Sequence, residues 1–128
     1  MKNSQITILV IDDDEAMREY VCFALENAGF KVCCAKNGME GMEAVKRRVP
    51  QVVITDLVMP DVEGIETIRE IKSLYPECRI IAMSGAANSE AYLSMAHCLG
   101  AHIVLQKPFD RSQILVAVWE VLESKVTT

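Results

Sequence analysis

The chain has 128 residues, of which 51% are hydrophobic, and its 18 acidic and 13 basic side chains give a formal net charge of −5. This length and composition predict one ordinary soluble domain that can build a core without structural metal or disulfides. The acidic balance argues against direct nucleic-acid binding, because phosphate contacts need a clustered basic surface. The dense basic run 46–48 closes a predicted helix, where cations suit the negative end of the helix dipole.

The N-terminus and the cysteines indicate the compartment. A short apolar run precedes three aspartates, so neither a signal peptide nor a membrane-inserted segment is predicted. The cysteines are odd in number and lack zinc-ligand spacing, and we expect them to be buried thiols in a reducing, cytoplasmic environment. They are Cys22, Cys33, Cys34, Cys78 and Cys98.

Short apolar runs rich in Val and Ile alternate with segments of helical periodicity along the chain. Several runs are apolar without alternation, which is typical of parallel strands covered on both faces. The predicted strands are 6–11, 30–35, 51–55, 79–83 and 102–105.

Five helices are predicted to follow these strands. The first ends before Gly29, a residue suited to a left-handed C-terminal cap, and Pro76 stops the third. The second and fourth, the latter at 92–99, show weaker periodicity. The last begins at Asp110, which can form a capping box with Gln113.

Five strand–helix units are too few for an eight-stranded barrel. We therefore predict an α/β three-layer sandwich, in which five helices flank a five-stranded parallel sheet of order 2-1-3-4-5. A single domain is expected over 1–128, with its core at 6–123. The functional crevice of such a sheet lies at the carboxyl ends of strands 1 and 3.

Charged or hydroxyl side chains end four of the five predicted strands. Converging carboxylates raise one another's pKa unless a cation compensates, and oxygen ligands select a hard ion such as Mg²⁺. A carboxylate beside Mg²⁺ can also attack phosphorus, while an ammonium and a hydroxyl neutralise the phosphoryl oxygens. The side chains are Asp12, Asp13 and Asp14 after strand 1, Asp56 after strand 3, Ser84 at the end of strand 4 and Lys107 after strand 5.

Asp56 is the candidate nucleophile, with Lys107 and Ser84 in the two supporting roles. Asp14 has two open interpretations, a third site acid or the N-cap of the first helix.

Four stretches together resemble a known family. They are ILVIDDD (8–14), VVITDLVMPDVEG (52–64), IIAMSGA (80–86) and LQKPF (105–109). In this order and at this spacing, the chain resembles the receiver domain of two-component response regulators and is similar to the single-domain chemotaxis type. The resemblance implies that Asp56 is the phosphoacceptor, that Asp13 binds Mg²⁺ directly, and that Asp12 binds it directly or through water. The main-chain carbonyl of Val58 matches a further Mg²⁺ ligand.

The resemblance also implies a signalling phosphoacceptor that catalyses only its own phosphorylation and dephosphorylation. Its donor would be a phosphohistidine on a sensor histidine kinase or a histidine phosphotransfer protein. Ser84 would move toward the phosphoryl group and Lys107 would pair with it, next to a cis bond to Pro108. The face of helix 4, strand 5 and helix 5 would then change for an output protein that the sequence does not identify.

The chain departs from the family pattern at Val104, three residues before Lys107, where the family often has Tyr or Phe. A valine cannot signal by ring rotation, and we expect the signal to pass through backbone shifts of the loop 84–89. Apolar Val58 and Ala86 predict slow self-dephosphorylation.

Two other function classes fit less well. A haloacid-dehalogenase-type phosphohydrolase needs a threonine after its first acidic motif, which Glu15 and its successors do not provide. In a flavodoxin-like electron carrier, the three aspartates would repel the flavin phosphate. Whether the receiver stands alone or belongs to a larger regulator stays open.

Overall fold

The computed structural model describes residues 2–57, 63–85, 94, 97 and 100–123. After a 3-10 turn at Asn3–Gln5, these parts of the chain form five strands and four helices. The strands are β1 (Thr7–Ile11), β2 (Lys31–Ala35), β3 (Val52–Asp56), β4 (Arg79–Ser84) and β5 (Ile103–Gln106). The helices are α1 (Glu15–Asn27), α2 (Gly38–Arg47), α3 (Glu63–Leu74) and α4 (Arg111–Glu123).

The five strands form one parallel sheet of order β2-β1-β3-β4-β5, which confirms the predicted fold class. Their register brings the carboxyl ends to one edge. Ile11 pairs with Thr55, and Ser84 pairs with Gln106. Residues that follow β1, β3, β4 and β5 therefore lie along the same edge of the sheet.

Residues of β1 alternate between two hydrophobic clusters, one on each face of the sheet. Ile8 and Val10 join the cluster of α1 and α4, whereas Leu9 and Ile11 join the cluster of α2 and α3. Because both faces are covered, β1 and β3 are buried throughout, and their apolar runs show no alternation.

The helix ends follow the local sequence. Asp14 caps α1, since its Oδ1 accepts the N–H of Met17 at 3.3 Å, and this favours the N-cap interpretation of Asp14. Gly29 has a φ of +97°, as predicted for the residue after this helix. At α4, Asp110 and Gln113 form the predicted capping box, with reciprocal bonds of 2.8 and 2.9 Å.

The predicted fourth helix falls mainly outside the described residues. Ser94 and His97 are the described residues of its range, and both are helical. The described parts of the chain therefore hold four helices rather than five, and α4 corresponds to the predicted last helix. Among the helices described, none is long and apolar enough to cross a bilayer.

The expectation of reduced, buried cysteines is wrong for three residues. Cys22 and Cys34 are joined by a disulfide, and Cys33 is free but exposed. Cys78 is free and buried as expected, whereas Cys98 lies outside the described residues. The reason is topological, because β2 is an edge strand that α1 packs beside, and sequence spacing does not show this lateral placement.

His102 joins β5 to β4 through both its backbone and its side chain. Its N–H donates to the carbonyl of Ile80 at 2.8 Å, and its Nδ1 accepts the N–H of Ile80 at 3.1 Å. The imidazole thus takes the place of a backbone acceptor where the strand begins. Burial, with Lys72 and Arg79 nearby, lowers the pKa of His102.

Candidate functional site

Three carboxylates converge at the carboxyl ends of β1 and β3. Asp12 and Asp13 follow β1, and Asp56 is the last residue of β3. Since β1 and β3 are neighbours in the sheet, the three side chains meet, and one oxygen from each lies within 4.8 Å of the other two. The structure brings together the acids that the sequence predicted at a metal site.

Asp12 is fully buried, and its two carboxylate oxygens differ in their partners. Oδ1 accepts the N–H of Asp14 at 2.9 Å. Within the described residues Oδ2 accepts no hydrogen bond, and it lies 3.6 Å from Nζ of Lys107. Burial raises the pKa of Asp12 to about 6, although the Asp14 N–H and the Lys107 ammonium oppose the effect. A bound cation would therefore stabilise its ionised form.

Lys107 places a positive charge against these acids. Its Nζ donates to Oδ2 of Asp56 at 3.3 Å. Its backbone N–H donates to the carbonyl of Ser84 at 2.7 Å, which fixes the end of β5 beside the end of β4. The bond to Pro108 is cis, as expected from the resemblance. The ammonium thus approaches the carboxylates from the β4–β5 side.

Ser84, the last residue of β4, is fully buried. Its Oγ donates to the main-chain oxygen of Gly85 at 3.3 Å. Since the Ser84 carbonyl also accepts the Lys107 N–H, one pair of strand ends holds both the hydroxyl and the ammonium. Val58, the predicted main-chain ligand, lies outside the described residues.

Two residues that the sequence analysis did not select support the acids. Arg18 of α1 donates from its guanidinium to the main-chain oxygen of Asp12 at 2.8 Å. Gly64 of α3 lies so close to β3 that a Cβ would overlap the main-chain oxygen of Asp56 and come within 2.9 Å of that of Leu57. A glycine in the first turn of a helix is the one sequence signal that could have indicated this close approach.

The donor set suits a small, hard divalent cation. Asp12, Asp13 and Asp56 offer oxygen ligands alone, which favour Mg²⁺ over softer metals. One oxygen of Asp12 is buried and open, as described above, while Asp14 uses its carboxylate to cap α1. Without a cation, Lys107 is the ammonium that faces Asp12 and Asp56 within the described structure.

An apolar groove lies apart from this site, between β5 and α4. Its volume is about 300 Å³, and its lining includes Ile103 and Leu105 from the strand and Val116 and Ala117 from the helix. Val116 is 54% exposed. Val104 packs against the α2–α3 cluster on the opposite face of β5.

Known proteins share the sequence pattern of this chain. A family model described as the response regulator receiver domain matches residues 8–119. The chemotaxis protein CheY of Bacillus subtilis (strain 168) is 34% identical over 112 residues, which are 87% of this chain and 92% of that protein. The DNA-binding transcriptional regulator NtrC of Azospirillum brasilense is 38% identical over 121 residues, which are 94% of this chain and 25% of that protein. The chain also spans 27% of the transcriptional regulatory protein ZraR of Klebsiella oxytoca.

Solved structures show the same fold. The crystal structure of the receiver domain of NtrX from Brucella abortus has a TM-score of 0.87 at 27% identity, covering 92% of this chain and 99% of that one. A CheY-like response regulator receiver domain protein from Methanospirillum hungatei JF-1 has a TM-score of 0.86 at 27% identity, covering 92% and 94%.

Proposed function

This chain belongs to the response regulator receiver domain family, and on that basis we propose that it is the phosphoacceptor of a two-component phosphorelay, with Asp56 receiving the phosphoryl group. The observation that carries the proposal is the 3.3 Å contact between Asp56 and Lys107, beside two further carboxylates. This geometry sets a nucleophilic oxygen next to a charge that can neutralise phosphoryl oxygens.

In the proposed reaction, a carboxylate oxygen of Asp56 attacks the phosphorus of a phosphohistidine. An O–P bond forms as the N–P bond breaks, and the imidazole leaves with the electron pair. Lys107 then pairs with a phosphoryl oxygen, and the Ser84 hydroxyl turns from its main-chain acceptor to donate to another. Water later hydrolyses the aspartyl phosphate to carboxylate and inorganic phosphate. The chain thereby catalyses only its own phosphorylation and dephosphorylation and acts as a signalling module rather than an enzyme.

Asp12, Asp13 and Asp56, with the main-chain carbonyl of Val58, are the residues proposed to hold Mg²⁺. When bound, the ion would neutralise charge on the acids and on the phosphoryl oxygens. The backbone of Asp12 is held without the ion, because Arg18 donates to its carbonyl and the carbonyl of Ala35 in β2 accepts its N–H at 3.1 Å. The fold itself therefore orients the Asp12 carboxylate.

Receiver domains are phosphorylated by histidine kinases, and we propose a sensor histidine kinase or a histidine phosphotransfer protein as the donor. The proposed output face comprises the predicted fourth helix, β5 and α4. The apolar groove between Ile103, Leu105 and Val116 supports this choice, since it offers a partner a contact surface. With Val104 in place of an aromatic residue, the signal would pass through the loop 84–89.

The output partner is proposed to be a protein, because the chain carries a net charge of −5. NtrC and ZraR are transcriptional regulators by name, and this chain spans about a quarter of each. A larger regulator containing this receiver is therefore compatible with the proposal. The single domain over 1–128 and the cytoplasmic location stay predictions.

The test is incubation with acetyl phosphate and Mg²⁺, followed by peptide mapping of the phosphoryl group by mass spectrometry. We expect label on Asp56, no label in Asp56→Asn, and little label when a chelator replaces Mg²⁺. Asp110→Asn is the matched control, because it makes the same chemical change at an exposed helix cap and should keep full labelling. Undiminished labelling of Asp56→Asn would falsify the assignment.

A further inference from the structure

A disulfide joins the first helix to the edge of the sheet. Cys22 of α1 and Cys34 of β2 are bonded across 12 positions of sequence. Cys22 is 5% exposed and belongs to the hydrophobic cluster of α1 and α4, whereas Cys34 is an exposed residue. The bond therefore has one shielded end and one end that small solutes can reach.

The other described cysteines differ from this pair. Cys33 is exposed and free, and it faces the opposite side of β2 from Cys34 because side chains alternate along a strand. Cys78 is buried, its thiol donates to the carbonyl of Pro50 at 3.3 Å, and burial raises its pKa to about 12. Cys33 is thus an internal control for an exposed thiol, and Cys78 is one for a buried and unreactive thiol.

We propose that Cys22 and Cys34 are a reversible dithiol–disulfide site, oxidised by a low-molecular-weight disulfide such as oxidised glutathione and reduced by the corresponding thiol. The exposed Cys34 thiolate attacks one glutathione sulfur, which breaks the glutathione S–S bond and releases one glutathione thiolate. The Cys22 thiolate then attacks the Cys34 sulfur and displaces the second glutathione. Both cysteine protons pass to the two glutathione thiolates, so two cysteine thiols are oxidised as one glutathione disulfide is reduced.

The bond ties together two elements that hold the main chain of Asp12. Arg18, one turn before Cys22, donates to the Asp12 carbonyl, and Ala35, next to Cys34, accepts the Asp12 N–H. Oxidation therefore restrains α1 against β2 on both sides of this peptide. This consequence concerns the backbone alone and does not depend on phosphoryl transfer. We expect backbone amides of α1 to exchange with solvent more slowly in the oxidised protein.

The test uses the whole chain in mixtures of reduced and oxidised glutathione. After free thiols are alkylated, the protein is digested without reduction and mapped by mass spectrometry. A Cys22–Cys34 linked peptide should grow with the share of oxidised glutathione and disappear when dithiothreitol is added to the folded protein. Cys33→Ser should leave the linked peptide unchanged, and Cys34→Ser, a change at an exposed position, should abolish it.

Three results would overturn the proposal. They are the absence of the linked peptide in excess oxidised glutathione, a link through Cys33 in place of Cys34, and a link that the folded protein keeps in excess thiol. Equal amide exchange of α1 in the oxidised and reduced forms would overturn the restraint on the Asp12 peptide. Because the first three readouts use the unmodified chain, they do not depend on whether a variant folds.

Discussion

Replacing Asp12 by Asn should stabilise the metal-free protein. Asp12 is fully buried, and burial moves its pKa from the ordinary value of 3.8 to about 6. A carboxyl group whose pKa is raised on folding favours the folded state while it is protonated, below about pH 4, and that stability is lost as the pH rises through about 6. At neutral pH, the ionised Asp12 therefore opposes folding.

The size of the effect follows from the same values. A change in pKa from 3.8 to about 6 corresponds to about 3 kcal/mol, since each pH unit is worth about 1.4 kcal/mol. This value already includes the opposing attraction to Lys107 at 3.6 Å, and asparagine keeps an oxygen for the N–H of Asp14. We expect Asp12→Asn to raise the free energy of unfolding by up to about 3 kcal/mol at about pH 8, with a gain that shrinks toward about pH 5.

The assay is urea denaturation in the presence of a chelator, followed by circular dichroism and by the fluorescence of Trp119, the one tryptophan of the chain. Its ring lies 5.7 Å from that of Phe30, so unfolding changes its surroundings. Asp110→Asn controls for loss of one exposed negative charge. Adding Mg²⁺ should stabilise the wild type and narrow its difference from Asp12→Asn, because a ligand that binds only the folded state adds to its stability.

Two results would contradict this expectation: an Asp12→Asn variant no more stable than the wild type at about pH 8, or a gain in stability that is the same across the pH range. Either result would mean that the buried carboxylate carries no net ionisation cost. A gain of equal size in Asp110→Asn would instead point to relief of the overall negative charge.

Three further predictions concern positions outside the acidic cluster. Folding lowers the pKa of His102, so its contribution to stability is present above the unfolded pKa of about 6.5 and is lost as the pH falls through the folded pKa. Thermal melts of His102→Gln should therefore depend less on pH in this window than those of the wild type. Gly64→Ala should lower the free energy of unfolding in urea by about 1–3 kcal/mol and slow acetyl phosphate labelling, because its Cβ would overlap the backbone of β3. Gly85→Ala is the control, since open space surrounds its Cβ, and it should change both quantities little. Asp110→Ala should cost about 1 kcal/mol in urea through loss of the capping box with Gln113, and retention of full stability would contradict that role.

The fold and the meeting of the site residues could be predicted because both follow from chain-wide rules. Apolar runs without alternation indicate a parallel sheet, and the carboxyl ends of parallel strands share one edge. Asp12 follows β1, Asp56 ends the neighbouring β3 and Lys107 follows β5, so their convergence needs only the strand order.

Contacts that depend on the lateral placement of elements could not be predicted. The hydrogen bond from Arg18 to the Asp12 carbonyl requires α1 to lie close to the end of β1. The Cys22–Cys34 disulfide requires the same helix to lie against the edge strand. No periodicity or motif encodes such offsets, because they result from how side chains pack between layers.

The two hydrophobic clusters are separated by the sheet and share no residue among those described. Substitutions on the helices of one cluster should therefore combine nearly additively with substitutions on the helices of the other, since the sheet lies between them and distant sites without shared partners rarely couple. Each layer can then diverge in sequence at its own rate without compensating changes in the other. The strands β1 and β3 contribute residues to both clusters, and Asp12 and Asp56 lie at their carboxyl ends. The positions of these two carboxylates therefore constrain both layers.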